Sequence, residues 1–371
     1  MKSNYKRLGE YIRQIDVRNK DDDRYDLLGV SVEKCFISSI ANTVGTDWHN
    51  YKIIKKGQFC YIPDTSRRGD KIGIAHLTDR EIGLVSAVYT VFEVWKEELV
   101  PEYLMLWFKR PEFDRYARFH SHGSVREIFD WEEMCNVELP IPAIEEQKAI
   151  VNAYETIERR IALKRKINDN LEAQIQAIYE DYFRTTDYDA TLGDVAECIL
   201  GGTPSRDIPS YWNGDIAWIN SGKINDFRVV SASEYITADG LAHSATKLLP
   251  YHTVVLAITG ATMGQESILL IESCANQSVI GILENERLPY EYIHPFIKSS
   301  MRELLRNQTG GAQPHINKDD VNNMPIRVPD SEKLRQYVAL VKPLFALIES
   351  NCFEIDKLTN LLSNTLAILS R

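Results

Sequence analysis

The chain has 371 residues, 44% of them apolar and 26% charged, and carries a formal net charge of −10. That length accommodates two ordinary domains with a core each, and the composition is that of a soluble globular chain, not a disordered or collagen-like one. No apolar run approaches the roughly 18 residues that a bilayer span needs, and the acidic balance argues against a protein that holds nucleic acid through its overall field.

The opening stretch, MKSNYKRLGEYIRQ, lacks the apolar segment of a secretory signal. The six cysteines (Cys35, Cys60, Cys135, Cys198, Cys274 and Cys352) form no CxxC pair. This speaks against a zinc knuckle or a disulfide framework, and for buried thiols in a reducing cytoplasm. Residues 1–144 read as a first mixed α/β domain, with β-rich runs at 52–62, 70–77 and 82–94 and a helical stretch at 101–119. DTSRRGDKIG (64–73) presents Arg67 and Arg68 between threonine and glycine, and HGSVREIFDW (122–131) presents Arg126. Such loop cations suit phosphate contacts; for Arg67 and Arg68 a solvated charge pair is the plainer alternative.

In VELPIPAIEEQKAIV (137–151) an apolar run is stopped by Pro140 and Pro142, and Glu145, Glu146 and Gln147 then open a helical pattern. Ile150, Tyr154, Ile157, Ile161, Lys164, Asn168, Leu171, Ile175, Ile178 and Tyr182 follow at alternating spacings of 4 and 3. That is a heptad seam of period 3.5, which suits two helices wound on each other. It predicts a central spacer helix over 145–186, about 60 Å long at 1.5 Å per residue.

Residues 187–330 read as a second α/β domain, with β-rich runs at 215–220, 252–260, 266–272 and 277–283 and a helical stretch at 289–308. This domain is acidic, with 10 basic against 18 acidic groups. GGTPSRDIPSYWNGDIAWINSGKIND (201–226) sets Thr203, Ser205, Arg206, Asn220, Ser221 and Lys223 among glycines and aromatics, a mixture suited to phosphate contacts and base-edge hydrogen bonds. Trp212 and Trp218 in the same stretch fit either that role or a plug in the core. AQPHINKDD (312–320) adds Gln313, His315 and Lys318. No GxxxxGK[ST], HExxH, GxSxG or GxGxxG is present, the eight histidines are scattered, and ITGATMG (258–264) reads as a turn between strands. Nothing here argues for a self-contained enzyme, a metal site or a bound cofactor.

The ending MPIRVPDSEKLRQYV (324–338) repeats the grammar of 137–151 at an offset of 187, with Pro329 over Pro142. Leu192-Gly193 echoes Leu8-Gly9, Val321 lies over Met134, and Met324 over Val137. Adding 187 to the first seam gives Tyr337, Val341, Leu344, Ile348, Asn351, Ile355, Leu358, Leu362, Thr365 and Leu369, a second seam on a helix over 331–371. Both copies keep polar residues in mid-seam, which either fixes the register or leaves a solvated dent. Pro343 has no counterpart and is expected to kink or restart the second helix. The fold class that follows is α/β: two similar domains of mixed sheet plus short helices, joined by two long antiparallel coiled-coil helices in a pseudo-twofold internal repeat. Two unrelated amphipathic helices, each buried on its own core, would be the alternative.

The doubled layout, LPIPAIEEQKAIV opening a long helix, IGLVSAVYTVF (82–92), LGDVAECILGGTPSRDIPSYWNGDIAWI opening the second half and GAQPHINKDDVNNMPIRVP closing it together resemble the DNA-specificity subunit of type I restriction-modification systems over the whole length. The resemblance implies two target-recognition domains, each reading half of a bipartite, asymmetric site in double-stranded DNA. It implies that the helices set the spacing and dock two methyltransferase subunits, which bring S-adenosylmethionine and methylate a flipped-out adenine. Two restriction/translocase subunits would complete a cytoplasmic complex in which this chain is non-catalytic. The clean Glu-Gln opening of the first helix is missing from DSEKLRQYV (331–339), so docking there is expected to be asymmetric. A non-catalytic scaffold with two ligand-binding domains on a coiled coil is the alternative from another class.

Overall fold

The computed structural model describes residues 5–39, 47–65, 71–123, 127–184, 188–307 and 316–369. The chain divides into two compact units, residues 1–160 with 359–371, and residues 161–358, so each unit takes part of both long helices.

The described residues of the first unit form ten strands, β1 (Tyr5–Arg7), β2 (Ile12–Ile15), β3 (Leu27–Val30), β4 (Phe36–Ser38), β5 (Lys52–Lys55), β6 (Phe59–Tyr61), β7 (Ile74–His76), β8 (Ile82–Val85), β9 (Thr90–Val94) and β10 (Glu138–Pro140). One four-stranded sheet has the order β2-β9-β6-β7, a second β4-β3-β8-β5, and β1 pairs with β10. The β-rich run at 52–62 is thus two strands in different sheets, as is 82–94. The helices are α1 (Pro101–Phe108), α2 (Pro111–Phe119), α3 (Trp131–Asn136) and the start of α4 (Ile144–Phe183). Pro111 divides the helical stretch 101–119, because the residue before a proline avoids the helical region: Arg110 has ψ 139°.

The second unit repeats this plan strand for strand. Its strands are β11 (Ala190–Thr191), β12 (Cys198–Leu200), β13 (Trp212–Ile219), β14 (Glu234–Ile236), β15 (Leu248–Leu249), β16 (Val254–Ala257), β17 (Glu266–Ile268), β18 (Ser273–Ala275), β19 (Val279–Ile282) and β20 (Pro325–Ile326). They assemble as β12-β19-β16-β17, β14-β13-β18-β15 and β11-β20. The order is the first unit's with ten added to every strand. A parallel ladder recurs too, β3 with β8 and β13 with β18, where the other ladders between named strands are antiparallel. The helices are α5 (Leu192–Val195), α6 (Ala238–Ala242), α7 (Tyr290–Asn307), α8 (Lys318–Asn322) and α9 (Ser331–Ile368).

Alternation along the strands explains the layering. In the second unit Val254, Leu256, Ile280 and Ile282 face a core that includes Leu171, Ile175, Tyr179 and Phe183 of α4 and Tyr337, Val341 and Ile348 of α9. Their neighbours Val255, Ala257 and Val279 face the second sheet through Ile219, Leu249 and Ala275. The first unit does the same: Phe59, Tyr61 and Phe92 turn to the helices, Cys60 and Val91 to the other sheet. A strand covered on both faces reads as an unbroken apolar run, which is why VVLA and VIGI do. Each fully buried Phe, Leu or Val side chain contributes about 1.5–3 kcal/mol.

The repeat is kept at the atomic level, with the accepting and contacted residues 187 apart and their partners 184 or 189 apart. Leu8 N donates to Val137 O, and Leu192 N to Met324 O (2.8 and 2.9 Å). The Tyr103 hydroxyl donates to Pro140 O, and that of Tyr292 to Arg327 O (3.1 and 2.6 Å). Gly9 lies against Cys135 and Gly193 against Asn322, where an added Cβ would stand 2.7 and 2.9 Å away, so larger residues would part the two segments.

Within the second unit α4 and α9 run antiparallel: Tyr182 meets Tyr337 (ring centroids 5.7 Å apart), while Lys164 donates to Asn351 Oδ1 at 2.8 Å. Within the first unit Val151, Tyr154 and Leu369 share the core, with Ile150, Leu362 and Leu366 against it. Ile161, Leu171, Ile175, Val341 and Ile348 are buried, and Ile150, Ile157, Ile178, Leu344, Ile355, Leu358 and Leu362 half-buried. The helix α9 continues through Pro343, so the restart expected there from the sequence does not occur. Pro343 and Ala339, whose carbonyl loses its partner, are both exposed, so water can take the place of the missing N–H. The cysteines also depart from expectation: Cys35 is exposed and Cys135 only half-buried.

The polar mid-seam is no solvated dent. Asn168 and Asn351 are 2% and 4% exposed. Asn351 Nδ2 donates to Asn168 Oδ1 at 2.8 Å, and Lys164 also pairs with Glu354 at 2.7 Å. Removing one partner leaves buried polar atoms unmet, whereas removing both need not. Asn351→Ala should therefore lower the unfolding free energy of the full chain by about 1–3 kcal/mol. The double variant Asn168→Leu with Asn351→Leu should recover most of that loss in denaturant titration. A double variant as damaged as the sum of its singles would refute the coupling.

Candidate nucleic-acid interface

In the second unit four connections meet at one end of the two sheets: 201–211, 220–233, 258–265 and 276–278. Backbone hydrogen bonds stitch them together. Gly201 N donates to Val279 O, Gly202 N to Ala275 O, Asn276 N to Ile219 O and Ile258 N to Ser278 O, at 2.8–3.0 Å. A Cβ on Gly201 would lie 2.1 Å from Asn276 O, so only glycine allows this approach. On this base Thr203 Oγ1 donates to Gln277 Oε1 (2.6 Å), and Asn220 Oδ1 caps the short 3-10 helix Ser221–Asn225 by accepting from Lys223 N (3.2 Å). Lys223 Nζ reaches Asp226 at 2.8 Å and donates to Ser231 Oγ at 3.0 Å. Ser205 and Arg206 are exposed, and Ser221 is half-buried.

The two tryptophans divide the roles that the sequence left open. Trp218 is buried and donates its Nε1–H to Gly202 O, while Trp212 is half-buried, donates to Ser205 O and carries the Arg206 guanidinium on its ring. Lys318 is exposed but stands apart from this group, on α8 beside α5 and β12. Gln313 and His315 lie outside the described residues. Sequence reasoning missed Asn276 and Gln277: it put Gln277 at the start of the β-rich run 277–283, whereas β19 begins at Val279. It also missed that the turn ITGATMG forms a 3-10 helix, Gly260–Thr262, packed on Ser221–Asn225.

A buried ion cluster anchors the 220–233 connection from behind. Arg228 Nη2 donates to Glu172 Oε2 of α4 at 2.6 Å, and Lys298 Nζ of α7 to Glu172 Oε1 at 3.0 Å. His294 Nδ1 stands 3.6 Å from the same carboxylate. Burial opposes ionisation of Glu172, but Arg228 and Lys298 outweigh it and hold its carboxyl below the usual range. Burial pushes His294 down to about 3, so this imidazole is neutral at physiological pH.

In the first unit Asp114 of α2 plays a comparable part. It accepts from Lys34 Nζ (2.5 Å) in the β3–β4 turn and from Ile72 N (3.0 Å), and so ties two connections to one helix. Lys34 sits in the left-handed region at φ 63°, a strained conformation for lysine that the turn and the buried ion pair impose. Beside it is a cavity of about 820 Å³ whose lining includes Lys71, Lys109, Arg115 and Arg118. Arg67, Arg68 and Arg126 lie outside the described residues. The chain on either side of them is joined: Thr65 N donates to Glu127 O at 3.0 Å, and Asp64 bridges Ile128.

The family model for the type I restriction modification DNA specificity domain matches this chain twice, over residues 18–173 and 188–360. Among curated proteins, the EcoR124I/EcoR124II specificity subunit of Escherichia coli is 26% identical over 43% of this chain, and the MjaIX specificity subunit of Methanocaldococcus jannaschii 22% identical over 69%. The alignments span 41% and 65% of those two relatives. The crystal structure of a type I restriction-modification S subunit from M. genitalium has the same fold, with a TM-score of 0.57 at 12% identity over 99% of this chain and 96% of that one.

The buried cluster should show itself in acid. His294 takes up its proton near 6.5 in the unfolded chain and only at about 3 in the folded one. Between those values unfolding binds a proton, so stability falls as the pH drops below about 6.5. The stabilisation of Glu172 is complete above about 4.3 and is lost as the pH falls. In unfolding titrations between pH 6.5 and 4.5, His294→Gln should lose stability more shallowly than the parent, by up to one proton, about 1.4 kcal/mol per pH unit. Glu172→Gln should cost about 3–5 kcal/mol at neutral pH, because Arg228 is left buried without its anion. Parallel pH curves for parent and His294→Gln would contradict this account.

Proposed function

Because this chain belongs to the family of type I restriction modification DNA specificity domains, we propose that it is the DNA-reading subunit of such a system. Each unit reads one half of a bipartite, asymmetric site in double-stranded DNA. The observation that carries this reading is the doubled plan: two units with one strand order, each built on the same arrangement of two four-stranded sheets. In the second unit Thr203, Ser205, Arg206, Asn220, Ser221, Lys223 and Gln277 supply donors and acceptors for base edges and phosphates. Arg67, Arg68 and Arg126 serve the first half-site, and Gln313, His315 and Lys318 the second.

The chain performs no chemistry of its own in this scheme and binds no cofactor. Two methyltransferase subunits dock on α4 and α9, bring S-adenosylmethionine and modify an adenine in each half-site. Two restriction/translocase subunits join them for cleavage in the cytoplasm. The paired helices set the distance between half-sites. The net charge of −10 and the pairing of Arg206 and Lys223 with carboxylates leave this chain little attraction of its own for phosphates, so partners supply much of the phosphate contact.

Long-read detection of methylated adenine in cells carrying the chain with its methyltransferase should reveal a two-part motif that disappears when the chain is deleted. Methylation indifferent to the deletion would refute the function. Arg67→Ala with Arg68→Ala should weaken DNA binding by the assembled complex and flatten its salt dependence. Removing seven residues within 157–175 takes out one heptad, about 10 Å of helix, and should shorten the non-specific gap by about three base pairs or abolish methylation. An unchanged gap would refute the spacer role.

A further inference from the structure

Arg206 is held from two sides although it is exposed. Its Nη1 and Nη2 donate to Oε2 and Oε1 of Glu234 at 2.5 and 2.7 Å, and its guanidinium lies 3.5 Å from the centroid of the Trp212 ring. Trp212 is itself fixed, by its Nε1–H on Ser205 O at 3.1 Å and by edge-on contact with buried Trp218, ring centroids 5.3 Å apart. Yet the Arg206 side chain remains 54% exposed.

Fold stability does not account for this arrangement, since an exposed ion pair adds little once its side chains have been ordered. What the arrangement supplies is an arginine whose torsions are already set, so a later contact costs little further ordering. Glu234 takes the Nη1/Nη2 edge. The other edge, the Nε–H beside the outward N–H of Nη2, is left as two parallel donors, and Nε makes no hydrogen bond among the described residues. Two parallel donors in one plane match the O6 and N7 acceptors of guanine in the major groove. A phosphate contact would need no such plane, and the neighbouring carboxylate would weaken it.

We infer that Arg206 reads one guanine in the half-site bound by the second unit, with Glu234 and Trp212 as the residues that position it. This deepens the proposed DNA-reading function and rests on it.

The test uses the chain assembled with its methyltransferase. First, methylated-adenine motifs are compared for the parent, R206A, R206K and E234Q. R206A and R206K should each relax one guanine requirement, in one half-site only, because lysine cannot form the fork. E234Q should keep the motif while lowering the extent of methylation. Second, each guanine of the parent motif is replaced in turn by 7-deazaguanine, which lacks N7, and binding of the assembled complex is measured. One replacement should weaken parental binding about ten- to a hundred-fold, and R206A should be indifferent to that replacement.

A parent motif without guanine in either half, or duplexes in which no 7-deazaguanine matters, would overturn the inference. So would an R206A defect that is uniform across sequences and repaired by R206K, which is the signature of a phosphate contact. Should R206A abolish methylation, the 7-deazaguanine series still decides, because it needs only the parental complex. If deleting the whole chain leaves methylation intact, the proposed function itself has failed, and that result cannot be mistaken for the others.

Discussion

Each unit depends on one sheet that must be covered on both faces. β12-β19-β16-β17 is apolar above and below: one face lies on α4, α7 and α9 and the other on the second sheet. A sheet of this kind cannot stand alone in water, so the long helices are structural partners of the domain as well as connections. The same requirement frees the strand ends. With the core closed by side chains from the middle of each strand, the connections at one end can be polar, glycine-rich and tightly stitched without endangering the fold.

Net acidity looked like an objection to DNA binding, and the structure shows where the acid goes. Glu234 faces Arg206, Asp226 faces Lys223, and Asp114 faces Lys34. These carboxylates lie against individual cations and fix their geometry. Such pairing trades long-range attraction for local order.

Much of this was legible in the sequence because the repeat is written in side-chain chemistry. The offset of 187 joins Pro142 to Pro329, and the same offset joins the carbonyls of Pro140 and Arg327 that accept from Tyr103 and Tyr292. The apolar strand runs were also plain. Strand order was not, because ladder partners such as β2 and β9 lie some eighty residues apart and no local pattern encodes their pairing. The restart expected at Pro343 did not occur, because the face that carries Pro343 is exposed and water can meet the freed carbonyl. Asn276 and Gln277 were overlooked because the short polar turn between β18 and β19 carries no periodicity, and Gln277 read as the start of the strand. Nothing local in the sequence marks Glu172, and only the fold brings Arg228 and Lys298 to it.

The two units keep one topology but anchor their loops by different means, and the difference follows the repeat frame. Adding 187 to Glu172 gives Thr359, a residue that cannot serve as a buried anion. The first unit instead ties its β3–β4 turn to α2 through Asp114, where the second ties its β13–β14 connection to α4 through Arg228. Elements that close the core, such as the Leu-Gly pairs and the tyrosine-to-carbonyl bonds, are held in common. Elements that place the loops are not. Two copies of one fold that read two different half-sites would diverge in this way: packing restrains the strands in both copies alike, while each set of loops must be braced for its own contacts.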